Sequence, residues 1–160
     1  MPCYLFTFHA YGSWYPDRPQ GYVKRGEGIL ARNVDEARRY RDRATFEPAI
    51  LEVEQQRAII AQSIEAAKRL GSRLHAVATE PTHLHLLVSW ATERDWEPIR
   101  ASFKKSLTLR LKSKFGGRRW LSGNGSRKRV KDQEHFEYLR GKYLPDHRGW
   151  KWCETRGEYL

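Results

Sequence analysis

The sequence predicts an α+β fold: a single domain in which an antiparallel sheet carries helices packed on one face, related to the ferredoxin-like class. Three observations predict it. β-prone and helical stretches follow one another in the order β, loop, α, β, β, α, β, β, α, a pattern of short strands and covering helices. The two longest helical stretches each carry one apolar stripe. The chain has 160 residues, the length of one ordinary domain, which buries about two-thirds of its unfolded surface in one core. A hydrophobic share of 39%, with 31% charged and 12% aromatic residues, suits a folded globule better than a disordered tail.

Residues 3–9, Cys-Tyr-Leu-Phe-Thr-Phe-His, are aromatic and partly alternating, so they read as a strand. Residues 12–21 follow with Pro16, Pro19 and Gln20 as a turn-rich stretch. Between residues 22 and 45 no clean period is visible, although 34–43 suits a short helix. The domain is therefore expected to span 1–160 with a loop insertion at about 13–46. Pro48 suits a first helical turn, and Ile50, Val53, Ile60, Ile64, Ala67 and Leu70 form a stripe, broken at Arg57 and ended by Gly71. Residues 73–79 and 83–90 read as the strands of a hairpin around Glu80-Pro81-Thr82. A second long helix is expected over 96–115, where Ile99, Phe103, Leu107 and Leu111 recur four apart until Gly116-Gly117. Residues 119–121 and 127–130 flank Ser122-Gly123-Asn124-Gly125, a hairpin-turn sequence. Asp132 then caps a third helix reaching about residue 143, stopped by Leu144-Pro145.

Charge narrows the function classes. Thirty Lys and Arg against 19 acids give a net charge of +11 and a pI of about 9.9, which attracts polyanions. The cations concentrate between Arg100 and Lys131, where there are twelve and no acid. A solvated face is usually less one-sided. Lys104, Lys105, Arg110, Lys112, Lys114, Arg118, Arg119, Arg127, Lys128, Arg129 and Lys131 are accordingly expected to bind nucleic acid, with Phe115 and Trp120 interleaved as base-stacking platforms. No apolar run approaches the roughly 18 residues of a spanning helix, and residues 1–8 lack the basic start of a signal peptide. A cytoplasmic, nucleoid-associated protein without a membrane partner is expected. Cys3 and Cys153 have no metal-site or disulfide spacing and read as ordinary thiols.

The sharpest motif is Thr82-His83-Leu84-His85-Leu86-Leu87-Val88. On a strand, side chains alternate, so His83, His85, Leu87 and Ser89 share one face and Leu84, Leu86, Val88 and Trp90 the other. The second set is a core face. The first brings two imidazoles within reach of one divalent ion. Two adjacent histidines also occur by chance on a half-exposed strand, and it is the basic chain, the apolar opposite face and a tyrosine-bearing helix after the sheet that raise the motif above that.

Residues 81–88 resemble the His-hydrophobic-His motif of the HUH nucleases, in particular the REP-associated tyrosine transposases and related single-strand insertion-sequence transposases. The opening Phe6-Thr7-Phe8-His9-Ala10-Tyr11-Gly12-Ser13-Trp14 and the stretch 125–132 before the last helix resemble the same group in the same order. The resemblance implies an HUH nuclease architecture that cuts single-stranded or hairpin DNA. His83 and His85 would hold Mg²⁺ or Mn²⁺, and a tyrosine would form a covalent 5′-phosphotyrosine intermediate for strand transfer. The family carries this tyrosine on a helix after the sheet, which falls here on residues 135–143 and makes Tyr138 the first choice and Tyr143 the second. A phenol with a pKa of about 10 is a poor nucleophile unless a metal, base or cation assists it, and Lys142, one turn after Tyr138, is placed to supply a cation.

One position departs from the transposase pattern. An amide ligand usually stands one turn after the tyrosine, and counted from Tyr138 that place holds Lys142, which is similar to the replication-initiator branch. The third ligand is thus open among Glu80, His135, Glu137, Asp146 and His147, with His9 and His75 as supporting neighbours. The missing amide favours one alternative, a catalytically inactive, domesticated hairpin-binding protein. Two-histidine cyclic phosphodiesterases are excluded, because no second His-x-Thr or His-x-Ser motif is present. The active unit would be a monomer or a homodimer, with the tyrosine acting in cis or in trans.

Overall fold

The computed structural model of the chain describes residues 1–13, 22–24, 28–43 and 47–160. In chain order the elements are β1 (Cys3–Ala10), β2 (Tyr22–Lys24), β3 (Gly28–Leu30), α1 (Val34–Arg43), α2 (Val53–Arg69), β4 (Ser72–Thr79), β5 (His83–Trp90), α3 (Trp96–Phe115), β6 (Leu121–Arg129), α4 (Gln133–Tyr138), a π-helical turn (Leu139–Tyr143), β7 (Lys151–Cys153) and β8 (Gly157–Tyr159). The main sheet runs β6-β1-β5-β4-β7-β8, with every neighbouring pair antiparallel. This is the α+β antiparallel class that the periodicities predict.

Alternation along β1 and β5 divides the protein into two layers of side chains. Phe6, Phe8, Leu84, Leu86, Val88 and Trp90 face α2 and α3, whose Ile59, Ile60, Ile99, Phe103, Leu107 and Leu111 complete the main core. Each such side chain stabilises the fold by roughly 1.5–3 kcal/mol through burial. On the opposite face, Leu5, Ala76, Ala78 and Leu87 pack under Leu139 and Leu144, with Phe136 and Tyr143 alongside. So the two long helices share one face, whereas the C-terminal helix, expected beside them, lies across the other. Its apolar residues are few, and they match the smaller second patch.

Helix α2 begins later than Pro48 suggests. The segment before it is extended, because Ala49 N donates to Tyr11 O and Leu51 N to Pro81 O. The helix then opens on a capping box, in which Gln55 accepts from the Glu52 backbone N–H at 3.0 Å. Helix α3 has the predicted bounds, and Gly116 at φ 112° ends it.

The expected hairpin over residues 119–130 is a single edge strand. Both halves of β6 pair with β1, Leu121 with Ala10 and Arg127 with Phe6, and the register shifts between them. Gly123 and Gly125 have positive φ, which supplies the hairpin-like signal but here makes a bulge. Gly125 is also pressed against β1, since a Cβ there would lie 2.6 Å from Thr7 O. Strands β7 and β8 were not anticipated; at three residues each they are too short to show alternation.

Of the insertion expected at 13–46, the described part holds the β2–β3 hairpin and α1, which has the bounds predicted for a short helix. The turn-rich stretch with Pro16, Pro19 and Gln20, and Trp14 of the opening motif, lie outside the described residues.

Candidate functional site

Strand pairing builds one half of the site. Antiparallel partners share a face, and the register sets His9 opposite His83 and Thr7 opposite His85. These residues, with Ser13, Thr82 and Tyr143, line a cleft of about 340 Å³. The His83 and His85 ring centroids are 5.0 Å apart and those of His9 and His83 6.0 Å apart. His83 Nδ1 stands 3.0 Å from Thr82 Oγ1.

The other half comes from the chain after α4. The Leu144 N–H donates to Leu139 O at 2.9 Å, the i to i−5 bond of a π turn. Tyr143 ends this turn and His147 follows one turn later. The ring of His147 is 4.7 Å from that of His85 and 5.7 Å from that of His83. One nitrogen from each of His83, His85 and His147 lies within 4.8 Å of the others.

Backbone and side-chain bonds hold the third imidazole in place. His147 Nδ1 donates to the carbonyls of Tyr143 (3.0 Å) and Leu144 (3.2 Å), so Nε2 is the ring's lone-pair nitrogen. Lys151, buried at 5% exposure, donates from Nζ to His147 O at 2.7 Å and Gly149 O at 2.9 Å. Glu80 accepts from the Arg148 N–H at 2.8 Å. Gly149 passes so close to β4 that a Cβ would collide with Thr79 O.

This donor set fits a divalent metal. Burial, and then the neighbouring His147, His83 and His9, push His85 down to about 3, so its ring is neutral and its lone pair available at pH 7. Thr7 Oγ1 lies 2.7 Å from His85 Nδ1, which fixes that ring with Nε2 toward the cleft. Imidazole nitrogens suit first-row transition ions better than magnesium.

The tyrosine beside the cluster is Tyr143. Its hydroxyl is 3.5 Å from His85 Nε2, and its ring meets His85 and His147 edge-on at 5.5 and 5.1 Å. Burial, and then Tyr138, raise its pKa above the ordinary phenol value. Tyr138, preferred from sequence, does not line the cleft; it is 51% exposed, with its ring 6.4 Å from that of Tyr143. Lys142 is exposed and likewise outside the cleft lining.

Among the five open ligand positions, only His147 joins the cluster. Glu80 braces the His147 loop, Glu137 accepts from Gln133 Nε2 at 2.8 Å, His135 Nδ1 accepts from the Lys131 N–H at 3.1 Å, and Asp146 is exposed. His147 was recoverable from the sequence by counting one turn from Tyr143 instead of from Tyr138. His9 does neighbour the motif. His75 also lies on a neighbouring strand, β4, but outside the histidine cluster: its Nε2 is 2.7 Å from Ser89 Oγ, its Nδ1 3.1 Å from Glu154, and its ring 5.0 Å from Phe136 of α4.

The basic residues are distributed over both sides of the sheet. Helix α3 packs on the face away from the histidines. Lys104 donates to Gly123 O, Arg110 to Gln62 and Arg118 to Glu47 O, while Lys105, Lys112, Lys114 and Arg119 are exposed. On β6, Arg127 and Arg129 share the face of Phe6 and Tyr4, and Lys128 that of Leu5. Lys131 lines a second cleft with Arg73, His75 and Phe136. Trp120 is not a stacking platform; it is buried at 6% exposure and its indole N–H donates to Gly116 O. Phe115 packs against it at 6.2 Å, partly buried on the core. Among the described residues, no helix is long and apolar enough to cross a membrane.

No protein-family model matches the chain, and no curated protein matches it in sequence. Solved structures do. One is a REP-associated tyrosine transposase bound to a REP hairpin, with a TM-score of 0.54 at 11% identity over 89% of this chain and 64% of that one. The chain thus spans less than two-thirds of that protein's length. A second, described as a transposase of Deinococcus radiodurans R1, gives a TM-score of 0.52 at 15% identity over 92% of this chain and 91% of that one. The chain therefore has the fold of these transposases, with a histidine cluster and a tyrosine on one face of its sheet.

Proposed function

We propose that the protein is a metal-dependent single-strand DNA endonuclease and strand transferase, acting at or near a hairpin through a covalent 5′-phosphotyrosine. The observation that carries this reading is the Tyr143 hydroxyl standing beside three convergent imidazoles. The fold likeness to transposases, one of them bound to a hairpin, supports it.

In this reading His83, His85 and His147 hold Mn²⁺ or Mg²⁺, which when bound draws negative charge from the scissile phosphate and eases attack on it. Tyr143 is the nucleophile. Its oxygen bonds to phosphorus, its proton leaves to water in the cleft, the bond to the 3′ oxygen breaks, and that oxygen departs as a protonated 3′-hydroxyl. The phosphotyrosine keeps the phosphodiester bond energy for rejoining. Thr7 orients His85, and Lys151 with Glu80 holds the loop that presents His147. Lys128, Lys131 and Lys142, on the histidine side of the sheet, meet the single strand, and the exposed cations of α3 on the other side meet the backbone of the hairpin stem. Work on DNA would place the protein at the nucleoid.

A non-cutting hairpin binder was favoured by Lys142 standing where an amide ligand is expected. With Tyr143 as the nucleophile, His147 occupies the ligand place one turn on, and Lys142 no longer stands in it.

The test is incubation of end-labelled single-stranded hairpin DNA with protein and Mn²⁺. The wild type is expected to form a denaturation-resistant adduct that requires the metal, and Tyr143→Phe to form none. An adduct that persists in Tyr143→Phe and disappears in Tyr138→Phe would return the role to Tyr138.

A further inference from the structure

Tyr138 and Tyr143 are five residues apart, a spacing that an α-helix would leave about 140° apart around its axis. The π turn between them closes with an i to i−5 bond and brings both rings to the same side. Their centroids are 6.4 Å apart, with planes inclined by only 30°. Tyr143 is held by imidazoles at its edges, His85 at 64° and His147 at 81° to its plane. Tyr138 continues this array outward and is 51% exposed, one of the large hydrophobic side chains that, among the described residues, stand open to solvent.

Exposing an aromatic face beside a reacting phenol serves no packing purpose, since the second apolar cluster is filled by Leu139, Leu144, Phe136 and Tyr143 without it. A nucleobase has a flat, apolar face of matching size, and stacking on an aromatic side chain tolerates any base. For a strand whose phosphate reaches Tyr143, the Tyr138 ring is the next aromatic face outward from it, 6.4 Å between centroids. The cations flanking α4, Lys131, Arg140 and Lys142, suit the backbone on either side.

We infer that Tyr138 is the stacking platform for an unpaired nucleobase next to the scissile phosphate, and so fixes the strand in the register that Tyr143 attacks. The inference rests on the cleavage reading above and assigns to Tyr138 a binding role in place of a nucleophilic one. It also accounts for a preference for single strands, since a paired base cannot turn onto the ring.

The experiment uses the full chain and a hairpin oligonucleotide whose cleavage position has been mapped from the wild-type adduct. 2-Aminopurine is then placed on either side of that position, and at a distant position as a control. Binding to the wild type is expected to change 2-aminopurine fluorescence at one flanking position, and Tyr138→Phe to retain that change. Tyr138→Leu is expected to lose it and to bind the strand about tenfold more weakly, with Mn²⁺ affinity and melting temperature unaltered. Full fluorescence change and full affinity in Tyr138→Leu, with the adduct still forming, would overturn the stacking role alone. Altered Mn²⁺ affinity in Tyr138→Leu would make Tyr138 a buttress of the site and overturn it too. No adduct from the wild type would remove the cleavage reading and this inference with it.

Discussion

The Tyr143 hydroxyl lies 3.5 Å from His85 Nε2, at the opposite edge of a ring whose Nδ1 is 2.7 Å from Thr7 Oγ1. Strand pairing sets the Thr7 end of this line and the π turn sets the Tyr143 end. His85 is thus the point at which the sheet and the C-terminal segment meet.

That dependence makes Thr7 a test of the proposed metal centre. With Nε2 facing the cleft, Nδ1–H donates to the threonine oxygen, and such a partner holds a ligating ring in its tautomer and orientation. Thr7→Val keeps the branched shape and removes the acceptor. Mn²⁺ affinity, followed by the paramagnetic signal of the free ion, is expected to fall about 10- to 100-fold, and stability to fall by about 1–3 kcal/mol for the buried Nδ1–H left without an acceptor. An unchanged affinity would show that His85 does not ligate through Nε2.

The same ring governs acid stability. An unfolded histidine titrates near 6.5, whereas burial, with His147, His83 and His9 nearby, holds the folded His85 at about 3. Between these values the unfolded chain binds a proton that the folded chain refuses. Stability is therefore greatest above pH 6.5 and declines as pH falls toward 3, with a slope of up to about 1.4 kcal/mol per pH unit from this one group. Urea unfolding of metal-free protein at pH 7 and pH 4.5 should record the decline, and His85→Gln should flatten it. A wild-type decline matched in full by His85→Gln would assign the acid sensitivity to other groups.

These two predictions involve residues that the sequence makes visible to different degrees. His83 and His85 could be read from it because strand alternation is strict: four apolar side chains on one face of β5 oblige the two imidazoles onto the other. The amphipathic stripes of α2 and α3 fixed the helical layer in the same way. His147 has no such period to reveal it. It sits in a loop set by Lys151, Glu80 and Gly149, contacts between residues far apart in the chain. The resemblance put Tyr138 ahead of Tyr143, and nothing in the sequence marks the π turn that brings both rings to one side and sets Tyr143 nearer the histidines. Trp120 misled for another reason. An indole amid cations looks like a stacking surface, but it is amphipathic, and here its N–H is satisfied internally.

Gly149 offers a way to disturb the proposed third ligand, His147, without touching any imidazole. A side chain there must displace the loop from Thr79 O, and the loop carries His147 two residues earlier. Gly149→Ala is expected to lower Mn²⁺ affinity about as much as His147→Ala, at least tenfold, and to cost about 1–3 kcal/mol of stability through overpacking. Gly141→Ala, where a Cβ meets nothing within 4 Å, is the control. Equal metal affinity in both variants would mean that His147 reaches the ion independently of the loop's path.

The division of charge across the sheet yields the last prediction. Lys128 stands opposite Leu5, two residues along the ladder from Thr7, and so shares the face of the histidine cleft. Arg127 faces the other way and lies over the Trp96 ring at 4.1 Å. A strand entering the cleft passes Lys128 and misses Arg127. Lys128→Ala is therefore expected to weaken single-strand binding and to reduce the slope of log K against log salt by about 0.7, the loss of one phosphate contact on a single strand. Arg127→Ala is expected to leave that slope alone and to lower stability through the lost contact with Trp96, by about 0.5–1 kcal/mol. If Arg127→Ala reduced the slope and Lys128→Ala did not, the strand would run over the α3 side of the sheet, and the cleft of His83, His85 and His147 could not be where it is cut.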